Sequence, residues 1–167
     1  MRIPLIVALA AAAVLAVGCK KKTDDVVVAA GAAGTADALP AICSTREDLE
    51  YEGQVYPGAG PVSLSDTDAR NRHGIAQRNL SVLQTSKERP VEVCGVRAEL
   101  TWLVYAECAD GSHPFEDGQQ AHAARSGNVG PGGRCGSIVD LYMITCPEET
   151  YEVYMDMYMC GADESMQ

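Results

Sequence analysis

No apolar run in this chain reaches the roughly 20 residues that a bilayer-spanning helix needs. The stretch that comes nearest, Ile3 to Val17, is uncharged but only 15 residues long. No Cys-x-x-Cys pair occurs, and the closest cysteines, Cys135 and Cys146, lie 11 positions apart, which removes the usual zinc spacing. His73, His113 and His122 fall outside His-x-x-x-His and His-Glu-x-x-His, so no zinc-hydrolase motif is present. They are expected to be exposed or satisfied locally. The glycine-rich stretch Gly130-Pro131-Gly132-Gly133, followed by Arg134, lacks the Lys-Ser/Thr of a nucleotide loop and leads into a strand. A cystine-braced loop suits it better than an anion cradle. Asp66 and Asp68 are spaced like the first EF-hand ligands, but Arg70 and Asn71 occupy the next ligand and glycine positions, which excludes that site. Basic residues are outnumbered 13 to 23, for a formal charge of −10. With no basic patch beyond Lys20-Lys21-Lys22, nucleic acid is excluded as a partner.

What the chain does have begins at its start. Met1-Arg2 is a short positive end, Ile3 to Val17 has the length of a secretory signal core, and small residues precede Cys19. Leu15-Ala16-Val17-Gly18-Cys19 resembles the lipobox of bacterial lipoproteins, departing from it in one respect. Ala16 stands where that family usually has Leu, and Leu15 is one place further back. The resemblance implies removal of residues 1–18 after Gly18, diacylation of the Cys19 thiol, and often acylation of the new amino terminus. The alternatives are a secreted protein with an unpaired thiol at Cys19, or an apolar core helix. Each buried CH₂ contributes roughly 0.8 kcal/mol, so two or three acyl chains hold a protein durably where one does not. The three lysines would sit at anionic headgroups. Lys20 stands in place of the Asp that retains many Gram-negative lipoproteins at the inner membrane. The resemblance therefore implies a bacterial cell-envelope protein, with the outer membrane favoured, and a lipid-borne membrane as first partner. Loss of Arg2 leaves the mature chain at −11.

Lipidation of Cys19 leaves six cysteines: Cys43, Cys94, Cys108, Cys135, Cys146 and Cys160. An even number in an exported chain predicts three disulfides, with 15 possible pairings. Convergence of thiols on a metal is the alternative. Cys135 and Cys160 bracket the open end of a predicted hairpin, so their union is the one pairing the spacing suggests.

The organisation predicted is a signal peptide over 1–18, a flexible linker over 19–41 and one disulfide-rich domain over 42–167. The linker is low in complexity and without aromatics. Ser65 should cap a helix with Asp66 and Asp68 in its first turn. Ala69, Ala76, Leu80 and Leu83 share one helical face beyond it, although Gly74 interrupts the pattern. Val91 to Cys108, with Leu100, Trp102, Val104 and Ala106 alternating, reads as strand, closed by the turn Asp110-Gly111. A short helix is expected over Glu116 to Ser126, stopped by Gly127, and Gly130 to Gly133 should be loop. Ile138 to Thr145 and Glu152 to Cys160 form a predicted hairpin around Pro147-Glu148-Glu149. Val139, Leu141 and Met143, with Val153, Met155, Met157 and Met159, make its core face. A pairing sum of 296 places Leu141 opposite Met155, Tyr142 opposite Tyr154 and Asp140 opposite Asp156. The fold class is α+β: a small disulfide-braced antiparallel sheet with one or two short helices.

Two places invite chemistry. Asp140 and Asp156, set among Tyr142, Tyr154 and Tyr158, would repel if opposed on a sheet. They would then need a cation, a shared proton or solvent. The plainer reading is two solvated aspartates. Met155, Met157 and Met159 offer alternating thioethers, the ligand type that selects Cu(I). They resemble the methionine motifs of periplasmic copper carriers, although a face shared with valine and leucine favours core packing. No nucleophile or cofactor fingerprint is recognisable, so no cofactor is expected. The leading expectation is a non-enzymatic envelope module that binds a protein, glycan or small ligand. Metal handling comes second, and a hydrolase using Asp140 or Asp156 with a histidine third.

Overall fold

The computed structural model describes residues 39–166. The signal peptide, Cys19 and most of the linker lie outside the described residues. Within that range the chain adopts an α+β fold with small sheets, short helices and three disulfides. Among the described residues, no helix is long and apolar enough to cross a membrane.

After a short 3-10 turn at Ala41–Thr45, β1 (Leu49–Tyr51) and β2 (Gln54–Tyr56) form an antiparallel ribbon. Its turn, Glu52-Gly53, has positive φ at both residues, the backbone that two-residue hairpin turns favour. β3 (Val62–Leu64) leads to α1 (Asp66–Arg70). Ser65 caps α1 as predicted, its hydroxyl accepting from the Asp68 N–H. The helix does not run on to Leu83. It stops at Arg70, where Asn71 leaves helical backbone and donates its N–H to the Thr67 and Asp68 carbonyls. It does not resume through Gly74, which lies at φ +71° with the Val91 side chain 2.9 Å from where a Cβ would stand. Residues 71–90 then run irregularly, and Leu80 is tucked into the core.

The predicted strand over 91–108 is overturned. Within it β4 (Val91–Glu92) is a two-residue strand, and α2 (Gly95–Val104) follows. The buried residues of α2 are Gly95, Glu99, Trp102 and Leu103, a helical stripe. In sequence that stripe is hidden by a glutamate and a glycine. Val, Trp and Tyr then suggest a strand, and tertiary packing overrides that preference. α3 (Gly118–Ala123) falls within the predicted helix but is shorter, with Asp117 accepting from the N–H groups of Gln119 and Gln120.

The main sheet runs β4-β7-β6-β5. It is made of β5 (Arg125–Gly132), β6 (Ser137–Thr145) and β7 (Thr150–Asp156), with β6 antiparallel to both its neighbours and β4 parallel to β7. Gly130 to Gly132, expected as loop, close β5 as an irregular edge strand, and Gly127 lies in that strand instead of stopping a helix. The β6–β7 register also departs from expectation: Asp140 pairs with Met155 and Leu141 with Tyr154, a sum of 295. The turn is tighter than expected. Cys146 donates its N–H to the Glu149 carbonyl at 2.9 Å, leaving Pro147-Glu148 as a two-residue loop. One residue of slip turns the second half of β6 over. Tyr142 and Ile144 face the main core, while Met143 is exposed and Leu141 half-buried, and of the predicted β6 face Val139 alone is buried. β7 keeps its predicted face, Val153 and Met155.

The predicted strand over 152–160 breaks after Asp156, whose Oδ1 accepts from the Tyr158 N–H at 2.9 Å. A side chain that captures a backbone donor two residues on makes a turn. The chain then re-enters a different sheet as β8 (Met159–Gly161), parallel to β3. Two apolar clusters result. The larger holds Trp102, Leu103, Tyr142, Ile144, Val153 and Met155. The smaller joins Cys43, Val62, Leu64, Cys135 and Met159.

The disulfides are Cys43–Cys135, Cys94–Cys160 and Cys108–Cys146. The suggested Cys135–Cys160 pair does not form. The hairpin's open end diverges at Tyr158, so each of these cysteines meets a partner from another part of the chain. Separations of 38 to 92 residues correspond to roughly 4 to 5 kcal/mol of denatured-state entropy each in the chain-closure description.

Candidate functional site

The sheet register decides the fate of the predicted carboxylate pair. Asp140 sits opposite Met155, so Asp156, the next residue on β7, points to the other face of the sheet. They share no ion. Asp140 is buried and held by the Arg125 guanidinium of β5 through two bonds, Nε to Oδ2 at 2.8 Å and Nη2 to Oδ1 at 2.7 Å. A paired fork of this kind is among the stronger polar contacts.

Asp156 is completely buried, and its registered neighbour is a second carboxylate, from β4. β4 pairs with β7 in parallel, placing Glu92 beside Asp156. Glu92 Oε2 accepts from Arg134 Nη2 at 2.8 Å and from the His73 backbone N–H at 3.2 Å. Asp156 Oδ2 has no hydrogen-bond partner among the described residues, and Gly133 packs directly over it. Burial first, and Glu92 next among the raising causes, push the Asp156 carboxyl up to about 6 against the opposing Tyr158 N–H, Ser137 hydroxyl and Arg46. Arg46 closes this polar layer, donating to the Ser137 hydroxyl at 2.7 Å and to the Cys135 carbonyl at 3.1 Å. The expected opposition of two acids thus exists, but between Glu92 and Asp156, with arginines alongside it.

The three tyrosines do not converge. Tyr142 is buried in the main core, Tyr154 donates to Glu152 at 3.1 Å, and Tyr158 lies under the Arg46 guanidinium. The methionine stripe is split as well: Met155 packs in the larger cluster, Met159 in the smaller, and Met157 is half-buried. Arg134 turns onto Glu92 and Cys135 is joined to Cys43, so residues 133–136 are a cystine-braced turn, while Gly130 to Gly132 belong to β5. His113 Nδ1 lies 2.9 Å from the Ala106 carbonyl, and His122 is exposed on α3. His73 Nδ1 lies 2.7 Å from the Pro90 carbonyl. Its side chain borders a cleft of about 210 Å³ with Glu92, Arg89 and Arg134. Among the described residues neither Asp140 nor Asp156 is hydrogen-bonded to a histidine side chain.

One titratable group was not singled out from the sequence. Glu99, on the core face of α2, is only 2% exposed, and its Oε1 has no partner among the described residues. Burial and the nearby Asp140 push its carboxyl up to about 7, opposed by the Tyr142 hydroxyl and Arg125. The same surroundings raise the Tyr142 phenol, burial foremost. A lone acid inside the apolar run Val93 to Val104 is the signal that would have found it. Cys108, Cys146 and Glu148 bring three possible ligand atoms within 4.8 Å, but both sulfurs are consumed by their disulfide.

Comparison of the chain with family models, with curated proteins and with solved structures finds no match.

Proposed function

We propose that this chain is a lipid-anchored cell-envelope module that binds its ligand without transforming it. One observation carries the anchoring. The six cysteines of the folded domain pair completely among themselves, so Cys19 is the sulfur left over for acylation, at the position the lipobox resemblance assigns to it. Three disulfides also suit a chain exported to an oxidising compartment. The buried carboxylates support a binding role over catalysis. Asp140 and Glu92 are engaged as internal braces by Arg125 and Arg134, and Asp156 is sealed beneath Gly133. A rigid, covalently tied domain on an acylated tether would present its surface to a protein, a glycan or a small molecule near the membrane, the outer membrane being favoured by Lys20.

Metabolic labelling with palmitate tests the anchor. The wild-type protein is expected to carry label and to fractionate with membranes, whereas Cys19→Ser should be unlabelled and released to the soluble envelope fraction. A wild-type chain that takes up no label overturns the reading.

A further inference from the structure

Four arginines of this domain are engaged, and Arg70, Arg89 and Arg97 are exposed. Arg72 is paired with Glu164, Arg125 with Asp140 and Arg134 with Glu92, while Arg46 donates to two carbonyls and a hydroxyl. Arg78 is different. Its guanidinium lies over Trp102, 5.1 Å from the ring centroid. Nη1 is buried with no hydrogen-bond partner, and among the described residues Arg78 makes no ion pair. Burial lowers its pKa, and no carboxylate acts to restore it.

Arg78 borders an open cleft of about 520 Å³ between α2 and the irregular segment after α1. Arg97 and Thr101, one turn apart on the exposed side of α2, form a second polar edge, and Ile75, Ala98 and Trp102 supply the apolar wall. Glu164 also reaches the cleft, but both of its carboxylate oxygens are engaged by Arg72, at 2.7 and 2.8 Å. A half-buried cation that lacks an anion is costly to keep. A guanidinium offers a planar fork that fits carboxylate and phosphate groups. The neighbouring apolar wall favours an anion with a hydrocarbon or aromatic body over a bare inorganic ion.

We propose that this cleft is a binding site for a small organic anion: a carboxylate or phosphate group carried on an apolar body, received by Arg78 and Arg97 and packed along Ile75 and Ala98. The inference rests on reading the chain as a binding module and supplies the chemical class of its ligand.

Trp102 is the only tryptophan in the chain, so its fluorescence reports on the cleft directly. The disulfide-bonded mature chain would be titrated with benzoate, phenyl phosphate and the neutral benzamide, with calorimetry run in parallel in case the indole is silent. Saturable binding of benzoate or phenyl phosphate is expected, and whichever binds tighter identifies the anionic group. Benzamide should bind at least about tenfold more weakly. Arg97→Gln, a change at an exposed position that leaves the core intact, should weaken anion binding by about three- to tenfold, and Arg78→Gln should abolish it. Neither anion binding by either readout, benzamide binding as tightly as benzoate, or Arg97→Gln leaving anion affinity unchanged would each overturn the site. The palmitate experiment is independent. Labelled protein that binds no anion refutes the cleft alone, and unlabelled protein that binds one refutes only the anchor.

Discussion

Glu99 is a carboxyl whose proton affinity departs far from its ordinary value. Its folded-state pKa, about 7, lies above the value near 4.5 that it has when exposed. The folded state therefore holds a proton that the unfolded chain gives up as pH climbs. Stability from this group is fully present below about pH 4.5 and is lost as pH rises through 7, the difference being on the order of 3 kcal/mol. Asp156, raised to about 6, acts in the same direction over a lower window. Thermal denaturation should thus give a higher Tm at pH 5 than at pH 8. Glu99→Gln should flatten that dependence and raise the Tm at pH 8. A wild-type Tm that rises from pH 5 to pH 8 would contradict this account. Arg125 offers a second test at this scale. Replacing it by Ala leaves Asp140 buried with its two bonds gone, and urea denaturation should register a loss of about 2 kcal/mol, reduced from the fully buried case because Arg125 is partly exposed.

Among the elements, α1 and the existence of the β6–β7 hairpin were legible because their signals are local: a Ser cap with acids in the first turn, and two apolar runs around Pro147. α2 was not. Its stripe carries Glu99 where a periodicity argument needs an apolar residue, and the side chain becomes tolerable there only once Tyr142 and the sheet are in place. The β6–β7 register was lost for a related reason. Even-sum and odd-sum pairings differ by one turn residue, and Cys146, bonded both to Cys108 and to the Glu149 carbonyl, fixes that residue from outside the hairpin. Gly74 shows the same dependence at the end of α1. Gly74→Ala forces a side chain into positive φ and against Val91, and a loss of about 2 kcal/mol is expected in denaturant unfolding. Unchanged stability would mean that residues 71–76 do not hold this turn.

For the whole molecule, the disulfides connect what the sheets leave separate. Cys43–Cys135 ties the amino-terminal segment to the β5–β6 turn, Cys94–Cys160 joins the start of α2 to β8, and Cys108–Cys146 fastens the loop after α2 to the β6–β7 turn. Peptide mapping under non-reducing conditions should recover these three pairs with Cys19 in none of them, and any other pairing would refute the topology. Composition and spacing alone supplied the α+β class, the even cysteine count of the domain, the exclusion of common metal and nucleotide motifs, and the lipobox resemblance. Each depends on neighbours in sequence or on simple counts. Only the folded chain decided which cysteines meet, which face of β6 is buried, and that Asp156 stands beside Glu92 while Asp140 turns to Arg125. It alone left Arg78 over Trp102 without a carboxylate. Those outcomes depend on contacts between segments from 15 (Arg125 to Asp140) to 92 (Cys43 to Cys135) residues apart, whose geometry is set by how elements pack and is not encoded in any local pattern.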